Sequence, residues 1–329
     1  MKLFMKRTNM KFGRKHFAFT MAEILISLTI IGIIAAIIIP TIHANIEKKT
    51  WETKKKVLYS RFAQALPLMS NLDRYGIGAT QEETNEKAAM AFVMGGLNKV
   101  LKINNICDKN ELEKCGIAPK IQTYAGDIID FPQNIAEFNP IFTNSLGGYI
   151  NPQYTMNTNV AALETSNGES IAVFYNPTCK PNNNIIDLVV TNFRVMYVQP
   201  FMCANFVYDL NGLKKPNIVG KDIWFITALY PTDTVVVSPM LSGVNLPAAA
   251  NSNVAKQICK TNDIKSRLPN PDEFYSIFYN ARLIGGLPLG KNLVDCMFMS
   301  NGERMCFYLG MHVFDKSNSS IGETCCVKK

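Results

Sequence analysis

Between Phe19 and Ile39 the chain runs 21 residues with a single charged side chain, Glu23. As a helix this stretch measures ~31 Å, enough to cross the hydrocarbon core of a bilayer. Beyond Pro40 the pattern changes from apolar all round to apolar on one side. Ile42, Ile46, Val57, Leu58, Phe62, Ala65 and Leu66 recur at helical spacing, with lysines between them. The pattern predicts one long N-terminal helix. Its second part, residues 41–75, needs a globular partner to cover Trp51, Leu58 and Phe62. Pro67 is expected to disturb this helix and residues 75–78 to end it. A further helix is predicted over 82–104, with Ala88, Ala89, Phe92, Val93, Leu97, Val100 and Leu101 on its apolar side.

From 117 to 200 the pattern shortens to β-like runs, best developed at Ile171–Tyr175 and over 185–198, with turn signals at 176–177 and 181–184. An antiparallel sheet over 76–230, packed on the amphipathic helix, is the expected arrangement. Residues 231–252, rich in Gly, Pro, Ala, Asn and Ser, are expected to be a linker. They lead to a disulfide-bonded α+β region over 253–329. There Asn270 is placed to cap a helix begun by Pro271, with Asp272 and Glu273 in its first turn. The fold class is α+β.

Charge refines this picture. The formal net charge is +8, and residues 1–18 carry six Lys or Arg and no acid. Without them +2 remains, so the basicity is a targeting feature and a nucleic-acid partner is not expected. The apolar run is too long for a cleaved secretory signal, and Ile37–Pro40 offers no small-x-small cleavage site. Lys48, Lys49, Lys54, Lys55, Lys56 and Arg61 follow the span, so lysine and arginine counts alone do not orient it. These cations are read as a solvated face in preference to a lipid-headgroup contact.

A basic leader, then Ala18, then Phe19-Thr20-Met21-Ala22-Glu23 and an apolar helix resemble the processing site of type IV prepilins and type II secretion pseudopilins. The resemblance implies that a prepilin peptidase cuts between Ala18 and Phe19 and methylates the new Phe19 amine. It also implies that Glu23 neutralises the Phe19 amine of a neighbouring subunit and so registers a filament, and that the helix bends near Gly32 and Pro40. Ala18 stands where that family usually has Gly. A lone carboxylate in a membrane helix is costly and calls for a partner or a task. Phe19 and Glu23, four residues apart, share a helix face.

Nine cysteines are present, none in the leader and none at C-x-x-C spacing. In an exported chain they read as disulfides, with one left over. Cys107 and Cys115 close a short loop if paired. Cys296 and Cys306 flank the hairpin signal Asn301-Gly302. The order Cys259, then Arg267-Leu268-Pro269-x-x-x-Glu273-Phe274, a helix, and a late Cys resembles C-type-lectin-like domains of bacterial surface proteins. That resemblance implies a bond from Cys259 to Cys325 or Cys326. Asp295–Ser300 stands where such domains usually carry a Trp-Ser-Ser strand.

One loop invites a cation. Asp209, Asn211, Asn217 and Asp222 bring four oxygen-bearing side chains among glycines and a proline, a set that suits Ca2+. The competing reading is a turn in which these side chains bond their own backbone. No other cofactor is expected. Of three histidines only His312 lies in the outer region, and no phosphate loop or H-E-x-x-H run is present, so an enzyme is not expected. The resulting expectation is a subunit of a type IV pilus or secretion pseudopilus. It would span the bacterial inner membrane once, with its globular part in the periplasm, and polymerise with other pilin or pseudopilin subunits. The alternative is a tip adhesin whose C-terminal region binds a surface or glycan.

Overall fold

The computed structural model describes residues 20–69, 86–138, 158–177, 201–230, 235–285, 294–301, 304–308, 311–315 and 322–328. The leader, the Ala18–Phe19 bond, the helix stop at 75–78, the turn at 181–184 and the strand expected over 185–198 lie outside them. The chain divides into two units, Met1–Thr50 and Trp51–Lys329. Helix α1, Met21–Met69, is 49 residues long and runs through both. Its helical geometry continues through Gly32, Pro40 and Pro67 to Met69, the last described residue of this stretch. In the first unit, Met21–Pro40 is long and apolar enough to cross a membrane, and none of it is buried. The Thr29 hydroxyl donates to the Leu25 carbonyl at 2.7 Å, so this polar group is satisfied inside the helix.

The second unit is built on an antiparallel six-stranded sheet. Its strands are β1 (Ile103–Cys107), β4 (Ala161–Thr165), β5 (Ser170–Tyr175), β6 (Phe201–Asp209), β7 (Ile223–Tyr230) and β8 (Val235–Val237), in that spatial order. Two short strands between β1 and β4 in sequence, β2 (Lys120–Gln122) and β3 (Ile128–Asp130), pair with each other, and Gln122 also bridges Ile218 between β6 and β7. Strand alternation sends Ile171, Val173, Tyr175, Phe206, Tyr208, Trp224 and Ile226 to one face of the sheet. Leu58, Phe62, Leu66 and Met69 of α1 cover that face, with Ala89 and Phe92 of α2 (Ala88–Phe92). Phe62 lies 4.6 Å from the Phe206 ring, and Phe92 stacks on Tyr175 at 4.1 Å. The amphipathic half of α1 thus has the partner its sequence calls for.

The helix expected over 82–104 is shorter and broken. After α2 comes a π-helical turn, Val93–Leu97, then α3 (Asn98–Val100), and β1 begins at Ile103. The turn contains Gly95-Gly96, whose backbone freedom tolerates the wider geometry.

The other face of the sheet carries Ala172, Phe174, Met202, Val207, Phe225 and Leu229. It is joined in one core with Phe274, Ile277, Leu283 and Ile284 from α6 (Pro271–Tyr279) and α7 (Ala281–Ile284). These helices come from the region expected to stand apart as 253–329. Residues from Trp51 onward form a single compact unit, so the expected separation is corrected. The expected linker over 231–252 is corrected too, since it holds β8 and β9 (Leu241–Ala249). Strand β9 pairs with β14 (Gly322–Lys328) through three register irregularities. Its Gly and Pro content hid it; a Cβ added at Gly243 would press on the ends of the Asn262 and Leu246 side chains, at 2.8 and 3.0 Å.

The second sheet follows the order β10 (Ser266–Arg267), β14, β11 (Val294–Phe298), β12 (Arg304–Tyr308), β13 (Met311–Asp315). Cys296 and Cys306 sit opposite each other in the β11–β12 register. Helix α4 (Ile135–Phe138) is joined to α7, where Arg282 donates to the Glu137 carbonyl at 2.8 Å. Helix α5 (Ser252–Asn262) is fastened to β14 by a Cys259–Cys326 disulfide, and Cys107–Cys115 forms a second. Cys203 is also disulfide-bonded, while Cys325 is a buried free thiol. Asn270 caps α6 as expected. Its Oδ1 accepts from the Glu273 amide at 2.8 Å, and Glu273 accepts from the Asn270 amide at 2.9 Å.

Phe62→Ala removes a fully buried ring from the helix–sheet seam and is expected to cost about 3–5 kcal/mol. Leu68→Ala, at a position 57% exposed on the same helix, is expected to cost under about 0.5 kcal/mol. Urea unfolding of the detergent-solubilised full chain measures both. Equal costs would contradict the assignment of faces.

Candidate functional site

The start of α1 is closed by its own side chains. The Thr20 carbonyl accepts the first helical bond, from the Ile24 amide at 3.2 Å, which makes Thr20 the N-cap. The Glu23 amide donates to Thr20 Oγ1 at 3.2 Å, while the Thr20 amide and hydroxyl both donate to Glu23 Oε2, at 2.8 and 3.0 Å. This is a capping box, T-x-x-E, satisfying two amides that the helix itself leaves open. Sequence reasoning paired Glu23 with Phe19 by spacing and passed over Thr20, although the Thr-x-x-Glu signal was present. Around this box the helix is bare: Leu25, Ile31 and Ile37 are more than half exposed.

Farther along, within the second unit, polar groups of α1 bind three separate parts of the sheet. Lys54 Nζ donates to the Leu210 carbonyl at 3.1 Å. The Tyr59 hydroxyl donates to the Val236 carbonyl at 3.1 Å. Arg61 Nη1 donates to both carboxylate oxygens of buried Glu169, at 3.2 and 3.4 Å, and the Thr165 hydroxyl donates to the same carboxylate. Lys55 is buried with its ammonium 3.1 Å from the centre of the Trp224 ring. The expectation of a solvated lysine face is corrected for Lys54, Lys55 and Arg61, which turn into the head.

The loop from β6 to β7 gathers the four oxygen-bearing side chains. Asp222 accepts from the amides of Asn217 and Ile218, both at 2.8 Å. Asp209 accepts from the Asn211 amide at 2.9 Å, and Asn211 Nδ2 donates to the Lys215 carbonyl at 3.3 Å. Asn217 takes a left-handed φ of 53°, which Asn tolerates better than most side chains. Burial pushes the Asp209 carboxyl up to about 7, the Asn211 amide opposes that, and nearby Asp222 adds to it. Among the described residues no three His, Cys, Asp or Glu side chains cluster to hold a metal ion. The Asp209 and Asp222 carboxylates staple their own turn, while Asn211 Oδ1 is buried with no hydrogen-bond partner among the described residues.

The remaining site expectations divide simply. Ala18 and Phe19 lie outside the described residues, and Gly32 has open space around it. An open groove of about 480 Å³ beside the Cys107–Cys115 loop is lined by Lys109, Glu111, Lys114 and Gln133. Comparison with protein-family models, with curated proteins and with solved structures finds no match to the chain.

Burial pushes the Lys55 amine down from its ordinary 10.5 to about 7, against the pull of Glu52 and with the help of Lys56. The Trp224 ring face favours the charged form and offsets part of the desolvation. The unfolded chain therefore holds this proton to higher pH than the folded one. The stability contribution of Lys55 is complete above the unfolded value and is lost as pH falls toward 7. Lys55→Met is expected to raise the melting temperature near pH 7. It should also flatten the rise in stability between about pH 7 and 10. A variant that keeps the wild-type slope would contradict the burial of this amine.

Proposed function

We propose that this chain is a pilin-like subunit of a type IV pilus or secretion pseudopilus. It inserts once in the bacterial inner membrane with its head in the periplasm, and a prepilin peptidase cleaves it between Ala18 and Phe19 and methylates Phe19. It then leaves the bilayer by packing its apolar helix against other subunits. One observation carries this reading. The 20 residues Met21–Pro40 are apolar and wholly unburied, and the same helix continues into a head that binds it tightly. Water is an unfavourable medium for that segment, because exposing so many Ile and Leu side chains costs roughly 1.5–3 kcal/mol each. A bilayer and a filament core are both apolar enough to accept it. Glu23 is the only charged residue in the segment, and the Phe19 amine of the next subunit is the partner that would neutralise it. The Cys107–Cys115 and Cys259–Cys326 disulfides suit an oxidising compartment outside the cytoplasm.

The N-terminal peptide of the protein extracted from membranes tests the processing step. Mass spectrometry is expected to find a chain starting at Phe19 and carrying one added methyl group. A chain that retains residues 1–18 removes this reading.

A further inference from the structure

The end of the sheet where α1 enters the head is unevenly charged. Lys54 of α1 binds the Leu210 carbonyl, while Phe62, two turns on, lies against Phe206. α1 therefore runs antiparallel to β6 and starts beside the β6–β7 loop, residues 210–222. Ser170 pairs with Asp209, which brings the β4–β5 turn, residues 166–169, to the same end. The Ser166 amide donates to the Lys102 carbonyl at 3.0 Å, so the start of β1 lies there too. Lys102, Lys214, Lys215 and Lys221 are exposed at this end, with Lys56 exposed on α1. None of the five makes an ion pair with a described residue. The acids of the loop and the turn are engaged internally. Asp209 and Asp222 are buried and accept from amides of their own loop, and buried Glu169 pairs with Arg61. Glu52 is an exposed acid on the adjoining part of α1. Leu213, 51% exposed, precedes Lys214 in the loop.

We propose that this end of the head is a docking surface for anionic phospholipid: Lys102, Lys214, Lys215 and Lys221 meet headgroup phosphates of the bilayer that the apolar segment spans, and Leu213 enters the interface among them. The inference rests on the membrane-spanning reading above. Ten residues, 41–50, link the apolar segment to this end of the head, a tether of at most ~36 Å even when fully extended. Like charges from separate stretches of chain repel where they converge, and a phosphate surface relieves that repulsion. Lysine suits the task, because its compact charge rides on a long apolar stem that can lie along an interface. The attraction is electrostatic, adds up over the lysines and falls with ionic strength. It would hold the head on the membrane surface until the subunit is taken up by others.

The full chain reconstituted in nanodiscs tests this. A photo-crosslinking side chain replaces Leu213, and lipid adducts are counted by mass spectrometry. Discs of phosphatidylcholine alone are compared with discs that also contain phosphatidylglycerol. Adducts are expected to be about fivefold or more as abundant in the anionic discs, the factor that even one lysine at a charged surface supplies. High salt should remove the difference. The double variant Lys214→Glu, Lys215→Glu should bring the anionic discs down to the neutral level with insertion unchanged. Equal adducts in both discs, from an inserted chain, overturn the docking surface and leave the spanning helix standing. A chain that does not enter the discs overturns the membrane reading and the inference with it. Loss of the difference when inorganic phosphate is added at constant ionic strength assigns the lysines to the free ion and overturns the lipid surface.

Discussion

A helix that is apolar on every side cannot sit in water, and the rest of this molecule answers to that constraint. Among the described residues nothing buries Met21–Pro40, a helix long and apolar enough to cross a membrane. The constraint reaches down to single atoms. An amide left open at the start of a helix needs a partner, and Thr20 and Glu23 close that start between them. It also explains why the helix changes character after Pro40. The second half packs on the sheet, and its apolar side narrows to the stripe of Leu58, Phe62, Leu66 and Met69 that the sheet buries.

The head solves the opposite problem. A six-stranded sheet with two apolar faces needs cover on both sides. α1 and α2 cover one, and α6 and α7 cover the other. At the second seam a buried polar cluster is fully enclosed. The side chains of Asn205 and Asn280 exchange bonds at 2.7 and 3.2 Å, and the Thr227 hydroxyl bonds Asn205 at 2.9 Å and lies 2.7 Å from that of Ser276. Asn205 and Thr227 oppose each other across β6 and β7, so a slip of either strand would strand these groups without partners. The C-terminal region is therefore bonded to the sheet by position-specific contacts. Arg267 adds two bonds to Glu273, at 2.7 and 2.8 Å, which hold the first turn of α6 to the chain before it.

What the sequence made legible was periodic or capped. The 21-residue apolar run, the stripe below it, the alternation at Ile171–Tyr175 and the Asn270-Pro271 helix start each carry a local physical signal, and each formed. Cys107–Cys115 and Cys259–Cys326 formed as well, the first suggested by closeness and the second by resemblance. What stayed hidden depended on distant partners. Strand β9 reads as a loop because it contains Gly243 and Pro247 and pairs with β14 in an irregular register. The placement of α6 on the back of the sheet follows from Phe274 and Ile277 meeting Phe174 and Phe225, which no local pattern encodes. Lys55 resembled its solvated neighbours until Trp224 was found beneath it. At Thr20 two local signals compete for one carboxylate: the Thr-x-x-Glu box and the four-residue spacing of Phe19 and Glu23.

The central claim is that the bare face of α1 is covered by other subunits once the protein is assembled. A photo-crosslinking side chain at Ile34, half exposed in the middle of the span, tests it directly. On irradiation of cells, covalent adducts of this chain with itself or with another filament subunit are expected. Adducts with lipid alone, under conditions in which polymer is present, would contradict the account.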